Sequence, residues 1–418
     1  MPTTIFATNY RGFPSIEIDV SATTFLVGDN SSGKSSILHL VNYVMGSRLY
    51  GIPTLDDSMG IGPYDFFSPY FNYAPVTIGF SSTNKDGETT SRLVELHRDK
   101  KGAPDVKRAL FCHEGLCVVL KKSGQYFFCK IRNNNKKYSI DDIKEIFGDD
   151  KGFTRFEVVD FPDQSVNFPV TAYMAIMQID PEIGKNHNIN RALFASDYQT
   201  SRHCAPLRAQ PERYYSFERK YKASGTHFAS MWHDLKADHS SDLNKSIQKF
   251  GKASGLFDDI DVTPISKKIQ ESPLTVIVKR NGKDFSLNQV GVGVSQVVPI
   301  LVECIFGSFE KNKPIMLLQQ PELHLHPVAQ AAVGDFLFEM RLGGLVSIVE
   351  THSDFLIDRY RARIRENSGE HEASIVYCYS DKIGNHASSI DIARDGTLVD
   401  PPENYNQFFV NEILRTMF

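Results

Sequence analysis

One run near the N-terminus limits the fold more than any other feature. Gly28-Asp29-Asn30-Ser31-Ser32-Gly33-Lys34-Ser35 satisfies Gly-x-x-x-x-Gly-Lys-Ser in full. It follows Thr24-Phe25-Leu26-Val27, which reads as a short buried strand. It precedes Ser36 to Val44, where Ile37, Leu38, Leu40, Val41 and Val44 recur at helical spacing. Strand, glycine loop and helix is the setting a phosphate cradle requires. The glycines let successive N–H groups curl toward one anion, and the helix adds its positive end. Lys34 is placed to neutralise the β and γ phosphates, and the Ser35 hydroxyl to ligate Mg²⁺. Asn30, Ser31, Ser32 and Ser36 complete the expected nucleotide contacts of this loop.

The chain of 418 residues is long enough for one large or two ordinary domains, and 41% hydrophobic residues can bury a sizeable core. That excludes a wholly disordered or collagen-like polymer. A formal charge of -4 does not advertise a nucleic-acid binder. Basic runs at His97 to Lys101, Lys107-Arg108, Lys130 to Lys137 and Arg219 to Lys222 read as solvated faces, with a groove for DNA, RNA or a partner protein as the alternative. Six cysteines, Cys112, Cys117, Cys129, Cys204, Cys304 and Cys378, are too few for a disulfide scaffold, and Cys112, Cys117 and Cys129 read as unpaired. With no signal-peptide pattern and no apolar run of ~20 residues, a cytoplasmic protein without a membrane partner is expected.

Residues 45–72 read as loop, and 73–131 as antiparallel strands, with Leu110 to Leu120 as a single stretch. Residues 139–147 read as a short helix with Ser139 or Asp141 near its start. The stretch 190–260 has helical texture around Trp232, Leu235, Leu243, Ile247 and Phe250. Strands return around Leu274 to Lys279, with a hairpin turn at Asn281-Gly282. The last third alternates strands and helices, the rhythm of an α/β sheet.

Three later segments carry a family resemblance. Val290 to Val297, with Gly291, Gly293, Ser295 and Gln296, resembles the degenerate signature of ABC-type ATPases of the overcoming-lysogenization-defect and DNA-repair type. Ile315 to Pro327 resembles a Walker B strand running into a D-loop, with Gln319, Gln320 and Glu322 at its catalytic end and His324 and His326 in the D-loop. Ser347 to Ser353 is similar to the strand that ends in the switch histidine, here Glu350-Thr351-His352. Pro206 to Tyr215 and Asn9-Tyr10-Arg11-Gly12-Phe13 resemble segments of bacterial AAA-ATPases that carry a DUF3696-type C-terminal region, a family frequent in anti-phage defence. In that family the opening strand lies near the nucleotide base, which marks Arg11 as a nucleotide contact.

The resemblance implies an ABC-type P-loop α/β fold of the SMC and OLD kind, with an antiparallel β subdomain and an inserted helical lobe. It divides the chain into lobe I at 1–185, a helical insertion and return strands at 186–290, and signature, Walker B, D-loop and switch at 291–418. It further implies a homodimer with two ATP·Mg²⁺ sandwiched between Lys34 of one copy and Ser295 of the other. That dimer is open to higher assembly and to control of a separate nuclease or toxin effector. In this picture Ser295 opens a helix and grips the γ-phosphate in trans, while His352 senses it.

Gln319 departs from the pattern, because an acidic Mg²⁺ ligand is expected there. An amide carries no charge and takes no proton at neutral pH. Three explanations stand: a slow, ATP-gated enzyme; an introduced Glu-to-Gln change that traps nucleotide; or transfer of the acidic role to Glu322 or Glu350. A scaffold that binds ATP with negligible turnover and a repair-like DNA-binding ATPase are the alternative functions. His324 and His326 are not read as a metal pair, since no further ligand completes a site.

Overall fold

The computed structural model describes residues 3–45, 74–84, 86–124, 126–133, 138–156, 168–185, 193, 200–266, 268, 271–367, 372–403 and 405. The expected loop at 45–72 lies almost wholly outside the described residues, as do most of Asn404 to Phe418. The chain forms two units, each assembled from separate segments. The first takes Met1–Ser21, Asp29–Gln199 and Cys378–Ser389; the second takes Ala22–Gly28, Thr200–Tyr377 and Ile390–Phe418.

The first unit is built on an eight-stranded antiparallel sheet. Its order is β2 (Phe13–Val20), β1 (Thr3–Tyr10), β4 (Val76–Thr83), β5 (Thr89–Arg98), β6 (Pro104–His113), β7 (Leu116–Ser123), β8 (Tyr126–Asn133) and β9 (Thr154–Phe156). The stretch expected as one strand over 110–120 is a hairpin. Glu114 and Gly115 take φ of 51° and 80°, a two-residue turn that folds β7 back on β6. That turn sets Cys112 directly opposite Cys117, and the two form a disulfide, which corrects the expectation that both are unpaired.

Helix α2 (Ile140–Gly148) covers one face of this sheet. Ile143, Ile146 and Phe147 pack on Phe6, Leu93, Leu110 and Val119. Ser139 caps its start with a reciprocal capping box through Asp142. Its C-terminal carbonyls accept from Lys130 Nζ (Ile146 O, 3.0 Å) and Arg108 Nη1 (Phe147 O, 2.9 Å). Both bases are buried, so neither belongs to a solvated basic face. Helix α1 (Lys34–Met45) follows the glycine loop, and its five spaced apolar residues are all buried. Helices α3 (Phe168–Ile179) and α4 (Pro181–Gly184) complete the unit's described elements.

The second unit carries a six-stranded sheet of order β10 (Ser201–Cys204), β14 (Ile315–Gln319), β15 (Val346–Glu350), β3 (Thr23–Gly28), β16 (Ala373–Ser380) and β17 (Asn385–Asp391). The turn of its last hairpin, within 378–389, is grouped with the first unit. Strands β10, β14, β15 and β3 run parallel, so their C-terminal ends share one edge. All six β3 residues are buried, as suits a central parallel strand.

The helical texture expected over 190–260 resolves into β10, an irregular segment and the long helix α5 (Phe228–Ser254). A three-stranded sheet, β11 (Asp259–Pro264), β12 (Leu274–Arg280) and β13 (Lys283–Ser286), includes the expected Asn281-Gly282 turn, with φ of 51° and 72°. Helices α6 (Val292–Phe309), α7 (Pro327–Leu342) and α8 (Asp354–Glu366) alternate with the strands. Among the described residues α6 alone is long and apolar enough to cross a membrane, and 72% of it is buried inside the protein. Its Glu303 is buried too, paired with Arg202 (3.0 Å) and His227 (2.6 Å).

Candidate nucleotide-binding site

Strand β3 ends at Gly28 (φ 142°), and the loop that follows bends through Ser31 (φ 64°) and Gly33 (φ 98°). A Cβ at Gly33 would stand 2.5 Å from the Phe13 ring, so the position requires glycine for space as well as for backbone. Within the loop the Ser32 hydroxyl donates to the Asp29 carbonyl at 2.8 Å. Lys34 is buried, and its ammonium donates to the same carbonyl at 2.6 Å. Ile37 N–H donates to Gly33 O at 3.0 Å, the first bond of α1. Ser35 and Ser36 are half-buried, while Asn30 and Ser31 are exposed.

The β1–β2 turn belongs to the same unit and braces the loop. Tyr10 Oη donates to Ser36 O at 3.2 Å, and Arg11 Nη1 lies 3.4 Å from Ser36 Oγ. Arg11 itself is held at φ 50°. Burial pushes the Tyr10 phenol up to about 12, so it stays a neutral donor.

In the second unit the strand register puts Gln319 beside Glu350 and Glu350 beside Leu26 of β3. Gln319 is buried between two partners: its Oε1 lies 2.8 Å from His203 Nε2, and its Nε2 donates to Glu350 Oε2 at 3.1 Å. The amide is thus committed at both ends. The chain then turns at Gln320 (φ 44°), whose N–H bonds Glu350 O at 2.8 Å. Buried Arg208 donates from Nη2 to the Gln319 and Gln320 carbonyls at 2.9 and 3.3 Å, and its own N–H reaches Gln296 Oε1 at 3.4 Å. Neither His203 nor this use of Arg208 is visible in the sequence. Both depend on the short strand β10 pairing with β14 from more than a hundred residues away.

Glu322 is also buried and accepts from His352 N–H at 2.8 Å. Burial pushes its carboxyl above the usual range. His352 is exposed just before Ser353, the N-cap of α8. His324 is exposed at φ 66°, whereas His326 caps α7 through Ala329 N–H at 3.4 Å. Among the described residues no cluster of three metal-ligating side chains exists.

The signature segment differs from expectation in one respect. Its helix opens at Val292 with Gly291 as N-cap, not at Ser295. Ser295 lies one turn in, buried, and its hydroxyl donates to Val292 O at 2.8 Å. The exposed residues at this helix start are Gly291 and Val292. Gly293 packs so close to the D-loop that a Cβ would stand 2.8 Å from His324 O.

Residues 186–358, less than half of the chain, match the family model described as "AAA domain, putative AbiEii toxin, Type IV TA system". An AAA domain implies nucleotide binding. No curated protein matches the sequence. Among solved structures the chain is similar to an SmcHead bound to the C-winged helix domain of ScpA, with 12% identity and a TM-score of 0.51 over 94% of this chain and 98% of that one. It is also similar to the SMC head domain from Thermotoga maritima (13% identity, TM-score 0.41, 93% and 98% covered). A third is the Smc head domain from Pyrococcus furiosus with an extended coiled coil, bound to the C-terminal domain of ScpA (12%, 0.44, 99% and 100%). At such identities the likeness is one of fold, and the first of these carries it. The α/β architecture with an antiparallel sheet resembles SMC and ABC-type ATPase heads.

Proposed function

We propose that this protein is an ABC-type ATPase that binds ATP·Mg²⁺ at residues 28–36 and turns it over slowly. Its nucleotide state would gate association with a second copy and with a separate effector in a defence system. The phosphate loop carries this reading: a buried strand ends in glycine, the backbone curls through Ser31 and Gly33, and Lys34 opens a helix. Lys34 supplies positive charge to the phosphates, and the N-terminal end of α1 adds the positive end of its dipole.

Of the two residues expected to hold Mg²⁺, Ser35 fits as a hydroxyl ligand at the helix start. Gln319 does not fit. It is uncharged, its oxygen faces His203, and a hard cation prefers charged or unengaged oxygens. Mg²⁺, when bound, neutralises phosphate charge. The carboxylate that the Walker B end offers is that of Glu350, which Gln319 orients by donating to it. A buried carboxylate is then present at the strand edge, but the residue after Gln319 is again a glutamine and takes no proton. Slow turnover follows from that deficit.

The exposed apolar residues Val292, Val328 and Phe355 start α6, α7 and α8 beside the signature and switch segments, which supports a second copy as partner. The family match supports a defence setting. The pinned Gln319 amide favours one further reading, an ATP-holding scaffold with negligible turnover.

Lys34→Ala is expected to abolish ATP binding in titration calorimetry. Gln319→Glu is expected to raise Mg²⁺-dependent phosphate release by about tenfold or more. Equal, brisk rates in the native chain and Gln319→Glu would remove the slow-enzyme reading. Single-turnover behaviour in both, with tight binding, would select the scaffold.

A further inference from the structure

The tip of the β16–β17 hairpin belongs to the same unit as the phosphate loop and touches both that loop and the β1–β2 turn. Asn385 N–H donates to Gly12 O at 2.7 Å. Gly384, at φ 155°, lets the hairpin lie flat on the turn, where a Cβ would stand 2.7 Å from that same oxygen. Ser380 Oγ donates to Asn385 Oδ1 at 2.7 Å, which fixes the amide with its nitrogen the other way. Nδ2 is turned toward the loop. A Cβ at Gly33 would stand 2.9 Å from it, and one at Gly12 would be closer still.

Both of its N–H donors lack a hydrogen-bond partner among the described residues. A side chain so anchored at its oxygen end could simply pack the hairpin. It does more than packing requires, because it holds two unused donors against a phosphate-loop glycine, where the chain keeps glycine on both sides.

We propose that Asn385 is a direct nucleotide contact, its Nδ2 donating to a phosphate oxygen of the triphosphate held by the loop. The proposal rests on the reading of residues 28–36 as the ATP site and adds the hairpin as a second wall of it. The carbonyl end, locked by Ser380, stays clear of the anion, so the amide presents donors only.

Asn385→Asp and Asn385→Ala test this in the full chain, with ATP and inorganic tripolyphosphate as probes in the presence of Mg²⁺. Asp keeps the shape and the Ser380 bond but replaces donors with a charged oxygen. It should weaken both probes by about 30-fold or more, and Ala by about 5- to 10-fold. The nucleotide-free melting temperatures should stay within about 2 °C of the native chain. Unchanged affinity in Asn385→Asp overturns the proposal. So does weakened ATP with unaltered tripolyphosphate, which would mean a nucleoside contact, or loss of binding that tracks a falling melting temperature. Full affinity in Lys34→Ala would instead bring down the reading of the loop, and the proposal with it.

Discussion

A single amide shows how much one residue's surroundings decide. Gln319 occupies the place where a metal-binding acid is expected, and the fold has made it a connector between His203 and Glu350. Gln319→Leu should therefore destabilise the protein by about 1–3 kcal/mol in chemical denaturation, since two buried polar neighbours each lose this bond. Asp354 tells a related story about charge. It lies in the first turn of α8, half-buried, and burial together with Asp358 raises its carboxyl to about 7. The folded chain thus holds that proton more tightly than the unfolded one. Its contribution to stability is fully favourable below the ordinary value of 3.8 and is lost as pH rises toward 7. Asp354→Asn should flatten that dependence and gain about 1–2 kcal/mol at pH 8, after discounting for solvent screening. The phosphate-loop residues were legible because one contiguous run encodes them. Arg208 stood out only as part of the resembled segment Pro206 to Tyr215, and His203 and Asn385 not at all, because their bonds come from pairings between distant segments that carry no local pattern.

Elements follow local chemistry where that chemistry is complete. Helix α2 could be located from Ser139 and its periodic apolar residues, and the structure adds basic side chains at its C-terminal carbonyls. Ser139→Ala should cost about 1 kcal/mol of stability, read by denaturant titration, because the Asp142 N–H loses the Ser139 hydroxyl that accepts from it, while the return bond from the residue 139 N–H to Asp142 remains. The β12–β13 turn was legible from Asn281-Gly282 alone. The β6–β7 turn does not stand out because Glu114-Gly115 lacks the usual Asn or Asp and its flanks, His113 apart, are apolar. The signature helix was misplaced by one turn for a similar reason. Serine is a common cap, but here Gly291 takes that place and Ser295 bonds backward within the helix. Gly293→Ala should force the D-loop backbone to move and cost about 1–3 kcal/mol, again read by denaturant titration.

At the scale of the whole molecule, the strand–helix rhythm pointed to an α/β sheet and the resembled motifs to an ABC-type fold of the SMC and OLD kind, and the α/β architecture with its antiparallel sheet resembles SMC heads in fold. The interleaving of segments between two units was not legible, because composition does not change where the chain passes from one to the other. The proposed homodimer has a test at this scale. Val292 is 56% exposed beside the signature glycines. Val292→Glu should abolish ATP-dependent self-association in light scattering while leaving ATP affinity within about twofold. Growth in mass on adding ATP to this variant would place the contact elsewhere.

Strand β3 is central in its sheet, with β15 on one side and β16 on the other, yet it comes well before both in the chain. Its neighbours leave the ribosome more than three hundred residues later. Until those strands are made, six residues destined for complete burial have no native edge to join, and they are exposed to mispairing with any nascent strand nearby. Chains arrested before residue 346 should accordingly be bound by chaperones or degraded, and the phosphate cradle should become competent only once β15 and β16 have been made.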